Sequence, residues 1–206
     1  MKVLLLNGSP HLAGCTHRAL LEISKELQTQ RIDAQICQLG TELISGCRGC
    51  SYCKDKSECV IKDAVNNFAD SAKDADGFIF GSPVHYAGAS GSITAFMDRL
   101  FYSCGANFSY KPAAAVVSCR RGGASAAFDQ LNKYFTINNM PIVSSQYWNM
   151  VHGNTPEEVE KDLEGLQTMR VLAQNMAWLL KSIAAGKEAG VELPKKEERA
   201  RTNFIR

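Results

Sequence analysis

Four cysteines give this sequence its most unusual chemistry. Cys47, Cys50, Cys53 and Cys59 form a C-x2-C-x2-C-x5-C run. Four thiolates so closely spaced can ligate one compact iron–sulfur cluster. The same set can hold zinc or act as free redox-active thiols, and spacing alone leaves these three open. Arg48, Gly49 and Ser51 stand between the cysteines and can donate hydrogen bonds to sulfur, which would raise the potential of a cluster held there. The remaining cysteines, Cys15, Cys37, Cys104 and Cys119, have no ligand spacing. Cys37 and Cys104 are expected as small packing residues, and Cys15 and Cys119 as partly exposed loop residues.

A second chemical stretch runs from Lys2 to Thr16, KVLLLNGSPHLAGCT. An apolar run, Val3 to Leu6, leads through an uncharged loop of small residues into a helical pattern. A helix N-terminus behind such a loop favours an anion, because its first amides are unpaired and its dipole is positive there. Ser9 and Thr16 can donate hydroxyl hydrogens to phosphate oxygens, and the backbone amides from His11 to Thr16, those of Gly14 and Cys15 included, can add more. No Gly-Lys-Ser/Thr ends the loop, which disfavours an ATP-type P-loop. Its plain structural reading is a strand–helix turn capped by threonine.

The elements that must position these groups alternate. Helical spacing runs from about Thr16 to Gln30, and a strand follows over Ile32 to Leu39. Residues 41–59 are a loop rich in Gly, Ser and Cys. A helix spans Asp63 to Lys73 with Asp63 as cap, and a third strand spans Gly77 to Phe80. Asp98 and Arg99, on the next helix, are expected to form an ion pair with each other. Pro112 to Cys119 is an Ala/Val-rich strand suited to burial on both faces. A helix from Ala124 to Phe135 precedes a fifth strand at Ile142 to Ser144. One long helix starts at Thr155-Pro156-Glu157-Glu158 and ends before Gly186, with Trp178 and its methionines as core or dimer contacts. Strands alternating with helices predict a doubly wound parallel α/β sheet. Its ligands bind beyond the carboxyl ends of the strands. Three strand-end loops converge on that edge: 9–16, 81–91 and 118–123.

Bulk properties narrow the rest. The 206 residues are 45% hydrophobic and 21% charged, with a net charge of +2, which gives no reason to expect nucleic acid or a membrane surface as partner. No apolar run approaches the roughly 20 residues of a membrane span, and Asn7 to Pro10 cut the N-terminal apolar run too short for a signal peptide. The protein is expected in the cytoplasm with its cysteines reduced.

These residues bring a family into view. Asn7-Gly-Ser-Pro-His-Leu-Ala-Gly-Cys-Thr16 resembles the FMN phosphate loop of the NAD(P)H-dependent FMN reductase family, which has a flavodoxin-like fold. Gly81-Ser-Pro-Val-His-Tyr-Ala-Gly88 with Phe96-Met-Asp-Arg99 is similar to its second flavin loop and following helix. Ser118-Cys-Arg-Arg-Gly-Gly123 is similar to its third flavin contact, and Tyr147-Trp148-Asn149 to a segment near the ring edge. The cysteine run resembles that of the iron–sulfur flavoproteins within the same fold. Cys15 stands where many relatives have asparagine, and His85 where an aromatic residue is common.

The resemblance implies a flavodoxin-like, doubly wound, five-stranded parallel sheet of order 2-1-3-4-5 over residues 1–186, and the mostly charged residues 187–206 read as a tail or an oligomer arm. It implies FMN held by Ser9, His11, Gly14, Cys15 and Thr16, by Pro83, Val84, His85, Tyr86 and Gly88, and by Ser118, Arg120, Arg121, Gly122 and Gly123. Arg120 and Arg121 would stabilise charge on a reduced flavin or bind the extra phosphate of NADPH. The implied activity is FMN-dependent transfer of hydride from NAD(P)H to a flavin, quinone or similar acceptor, with no acid–base or nucleophilic residue of its own, in a homodimer. The alternative is an electron carrier coupling FMN to a [4Fe-4S] cluster on Cys47, Cys50, Cys53 and Cys59 and to a ferredoxin-like partner. A third reading is a non-catalytic flavin-binding module.

Overall fold

The apolar strand segments pair side by side, and amphipathic helices cover them. The computed structural model describes residues 1–195, 197–198 and 200–204. Residues 196, 199, 205 and 206 of the expected tail lie outside the described residues. β1 (Lys2–Asn7), α1 (Cys15–Thr29) and β2 (Asp33–Gln38) come first. The short helix α2 (Cys53–Lys56), α3 (Ala64–Ser71), β3 (Gly77–His85), the two-residue β4 (Gly88–Ala89) and α4 (Gly91–Cys104) follow. The chain ends with β5 (Ala113–Cys119), α5 (Ala124–Ile137), β6 (Met150–His152), α6 (Pro156–Val159) and α7 (Leu163–Glu188).

The parallel path runs β2-β1-β3-β5-β6, and β4 pairs antiparallel with β3 off that path. The winding is the flavodoxin-like one expected, with a hairpin added. β3 is longer than its apolar run suggested. Its pairing with β1 ends at Gly81, so Pro83 interrupts no ladder to β1. Its other edge continues along β5 as far as Pro83 opposite Ser118.

The fifth strand lies elsewhere than at Ile142–Ser144. Ile142 makes only an isolated bridge to Ala113, and the paired segment is β6, with Met150 to His152 opposite Val117 to Cys119. Residues 144–148 leave the edge, and Asn149 restores the pairing. Its side-chain amide donates to Ala115 O at 3.1 Å, and its carbonyl accepts from Val117 N at 2.9 Å. The long last helix is in fact two. Asp162 breaks it by accepting both Gly165 N, as a new N-cap, and His152 N. α7 then continues past Gly186 to Glu188. Met169 and Met176 are fully buried, whereas Trp178 is 69% exposed.

Alternate strand residues serve opposite faces. Leu4, Leu6, Phe78, Phe80, Ala115 and Val117 pack under α3, α4 and α5, and Val3, Leu5, Ile79, Ala114 and Val116 pack under α1 and α7. Cys104 is buried in the first of these cores and Cys37 packs against it, as expected. Phe80 stands at the middle of that core, with ring centroids 5.4 Å from Phe135, 5.9 Å from Phe101 and 6.0 Å from Phe68. Phe80→Ala is expected to cost about 3–5 kcal/mol. Urea unfolding would read this as a lower midpoint at unchanged slope.

Candidate functional site

The parallel strands point their carboxyl ends to one edge, and the connecting loops there are tied to one another. Asn7, fully buried at the end of β1, organises the first loop. Its amide donates to Gln38 Oε1 at 2.6 Å and its oxygen accepts Ser9 N at 3.1 Å. Ser9 Oγ in turn accepts His11 N at 3.1 Å, which leaves its own hydrogen to donate. Gly8 sits flush against the neighbouring strand: its N–H donates to Gly81 O at 2.8 Å, and an added Cβ would stand 2.9 Å from that oxygen and 2.7 Å from Ile93 Cδ1.

The loop opens onto α1, whose N-cap Gly14 offers no side chain to the first-turn amides. By contrast α3, α4, α6 and α7 are capped by Asp63, Ser90, Thr155 and Asp162. The α1 amides are therefore open to an external anion. A cleft of about 530 Å³ lies over them, walled by Pro10 to Cys15 and by Asn154, Thr155 and Pro156. Thr16 Oγ1 is 2.8 Å from Ser118 Oγ, joining this loop to the end of β5. The Cys15 thiol donates to Gly153 O at 3.6 Å, and burial, with Glu158 and Glu157 nearby, pushes its pKa up. Cys15 is thus a neutral wall of the cradle rather than a thiolate.

The second loop is the β3–β4 hairpin. Tyr86 and Ala87 form its tip at φ 48° and 61°, a left-handed pair that is costly without glycine. The strained tip projects Tyr86 entirely into solvent. His85 is also exposed, while Pro83, Val84 and Gly88 are half-buried. The third loop packs directly on this hairpin. Gly123 has φ 87°, and a Cβ there would stand 2.6 Å from Ala87 Cα and 3.0 Å from Val84 Cγ1. Gly123 is also the N-cap of α5 and has no capping side chain, so α5 too presents open amides to this edge. Arg120, Arg121 and Gly122 are exposed beside it, and Ser118 is buried. Cys119, expected to be partly exposed, is buried, and its thiol is pushed up in pKa by that burial.

Tyr147 and Trp148 do not join these loops. They lie on the excursion between Ile142 and β6, pack against each other at 4.9 Å and line a separate cleft with Phe128 and Asn132.

The sequence matches the family described as NADPH-dependent FMN reductase over residues 1–155. The chain belongs to that family. It is therefore an FMN-dependent oxidoreductase with a flavodoxin-like fold. It is 30% identical to an iron-sulfur flavoprotein of Methanocaldococcus jannaschii over 191 residues, covering 89% of this chain and 99% of that one. An iron-sulfur flavoprotein of Archaeoglobus fulgidus is 28% identical over 192 residues, covering 86% of this chain and 96% of its own. Among solved structures, a flavodoxin from the domain Archaea superposes with a TM-score of 0.59 at 18% identity, covering 88% of this chain and 99% of that one. The cradle found here suits FMN: an uncapped helix end for a phosphate, and small or glycine residues where a flat ring must approach backbone.

The cysteine run is the second part of the site. Cys47, Cys50, Cys53 and Cys59 line a single small cavity of about 30 Å³, closed on its inner side by Arg99. The segment is half-built. Cys53 opens α2 and Cys59 is held from behind, whereas Cys47 and Cys50 are exposed on irregular chain. Among the described residues no three such side chains are gathered closely enough to hold a single ion, as tetrahedral zinc at about 2.3 Å from each sulfur would need.

Arg99 is a residue the sequence reading misplaced. It does not pair with Asp98, which instead accepts from Tyr134 Oη at 2.5 Å. Its guanidinium forks onto Asp63 at 2.6 and 2.9 Å, and donates to Ile61 O at 2.8 Å, Ser45 O at 3.3 Å and Cys59 Sγ at 3.3 Å. Burial alone would lower its pKa, but the bonds to Asp63 and Cys59 more than offset this, and it stays charged. Asn7 and Ser90 are further positioning groups absent from the expected set. The signal was there for Asn7, a polar residue closing a buried strand.

Gly123→Ala is expected to weaken FMN binding about tenfold or more, because the left-handed backbone and the contact with Ala87 both oppose a Cβ, at about 1–3 kcal/mol. Flavin-fluorescence titration measures it, and unchanged affinity would show that the hairpin and the third loop do not act on the ring.

Proposed function

We propose that the chain is an electron-transferring FMN oxidoreductase with a [4Fe-4S] cluster on Cys47, Cys50, Cys53 and Cys59. The observation that carries this reading is that all four cysteines line one cavity against a buried cation. The iron-sulfur flavoprotein names of the two archaeal relatives support it. When bound, FMN would supply both one- and two-electron chemistry and the cluster one-electron chemistry.

The chain's own residues do the rest. The open amides of α1, with the hydroxyls of Ser9 and Thr16, would neutralise and orient the phosphate. The hairpin Pro83 to Gly88 and the loop Ser118 to Gly123 would bracket the ring, and His85 and Tyr86 would stand at its exposed rim. Electrons would leave to a redox partner rather than to a substrate transformed by acid–base residues. Purified without oxygen, the protein is expected to carry iron and acid-labile sulfide in equal amounts, about four of each per chain. Cys53→Ser and Cys59→Ser are expected to lose most of both. Absence of iron and sulfide after reconstitution of the wild-type chain would sink the cluster.

A second reading concerns the electron source. Arg120 and Arg121 stand exposed at the same edge, beside the uncapped end of α5, which suits a doubly charged phosphate ester such as the 2′-phosphate of NADPH. Stopped-flow mixing is expected to bleach bound FMN with NADPH. In the double variant Arg120→Ala/Arg121→Ala the NADPH concentration for half-maximal rate is expected to rise more than tenfold, with that for NADH little changed. No bleaching with either nucleotide would rule out the hydride donor.

A further inference from the structure

Arg99 is the most deeply buried charge in the molecule's described part, only 2% exposed, and neither FMN binding nor the cysteine spacing calls for it. Its contacts are distributed in a telling way. Ser45 O lies ahead of the cysteine run, Cys59 is its last member, and Ile61 and Asp63 follow directly. One guanidinium thus closes both ends of the loop onto α4. The sulfur it touches, through Nε at 3.3 Å, belongs to the one run member fixed by a side chain from another element. Asp63 balances the charge from the other side and also caps α3 through Val65 N at 3.0 Å. A second ion pair on the same segment, Lys62 with Glu58, is about half exposed on both sides and is screened by solvent.

We propose that Arg99 is the positioning residue of the thiol site: it fixes Cys59 before any cofactor binds, and the Arg99–Asp63 pair sets the reduction potential of what binds there. This rests on the cluster reading above. A hydrogen bond and a positive charge at a ligand sulfur stabilise the more negative, reduced state. The carboxylate opposes that effect through the same guanidinium. The two members of the pair therefore act with opposite signs. Reduction adds one electron to the cluster, taken from dithionite in the titration, and neither forms nor breaks a bond to the protein.

The test uses the chain loaded with FMN and reconstituted cluster. Asp63→Asn, which keeps an N-cap oxygen, is expected to raise the cluster midpoint potential. Arg99→Met is expected to lower it. Each shift should be about tenfold in the reduced-to-oxidised ratio, or about 59 mV for one electron. Arg99→Lys keeps the charge but loses the fork and the Nε bond, and should fall between Arg99→Met and wild type. A purely structural role would move all three variants the same way or not at all, and either result would overturn the electrostatic assignment.

A second measurement covers variants that fail to load. In the FMN-bound, cluster-free protein, hydrogen exchange at Ser57 and at Val65 to Asn67, whose amides bond to Cys53 and Asp63, is expected to quicken at least tenfold in Arg99→Lys, while β1 and β3 keep their protection. Unchanged exchange at these amides would overturn the positioning role. A wild-type chain that takes up no cluster would overturn the cluster reading and the potential-setting role with it, and the exchange result would still decide whether Arg99 fixes Cys59.

Discussion

A guanidinium removed from water must have its charge and its donors answered by protein. Arg99 meets that demand with one carboxylate, two carbonyls and a sulfur, all drawn from residues 45–63. The requirement runs both ways. The loop has little apolar content of its own to bury, and much of it is exposed, so its path is set by the polar groups that Arg99 collects. Loss of either partner would leave a buried charge unpaired, at roughly 3–5 kcal/mol. That is a large fraction of the stability of an ordinary domain.

The sheet supplies the complementary constraint. Its central strands are covered on both faces, so polar chemistry can sit only at the strand ends, and in a parallel sheet the ends of one sense share one edge. Two helices there, α1 and α5, start on glycine without a capping side chain. Such ends lower stability unless something else takes the amides. Open amides of this kind suit an external anion or another polar group. The tight contacts of Gly8 with Gly81 and of Gly123 with Ala87 then hold the loops at fixed separations.

Much of this was legible in the sequence. The strand type, the parallel winding and the small-residue loop before α1 follow from apolar runs, turn residues and helix starts, which are local signals. Errors arose where a tertiary partner decided the outcome. The fifth strand moved from Ile142–Ser144 to Met150–His152 because Asn149 finds Ala115 and Val117 across the edge. The last helix broke at Asp162 because His152 and Gly165 both use its carboxylate. Asp98 and Arg99 look like a pair when adjacent in sequence, yet successive helical positions point about 100° apart, so one met Tyr134 on α5 and the other Asp63 at the head of α3. Sequence spacing gathered the four cysteines, but it contained nothing about the cation behind them.

One element connects the two halves of the site. Ser90, the N-cap of α4, donates to Gly8 O at 3.0 Å and receives Ile93 N, while its own N–H binds Ser82 Oγ at 3.0 Å. Nine residues on, Arg99 holds Cys59. At 1.5 Å per residue the two anchor points are about 13 Å apart along the axis, and Ile93, Phe96, Met97 and Leu100, fully buried, fix the helix between them. A helix packed in this way moves as a unit, so the strand-end loops at one end and the thiol loop at the other keep their spacing. Electron exchange between two centres depends steeply on separation. In the proposed reading, with FMN at the strand-end loops and a cluster at the cysteines, one buried helix would set that separation in the core of the fold.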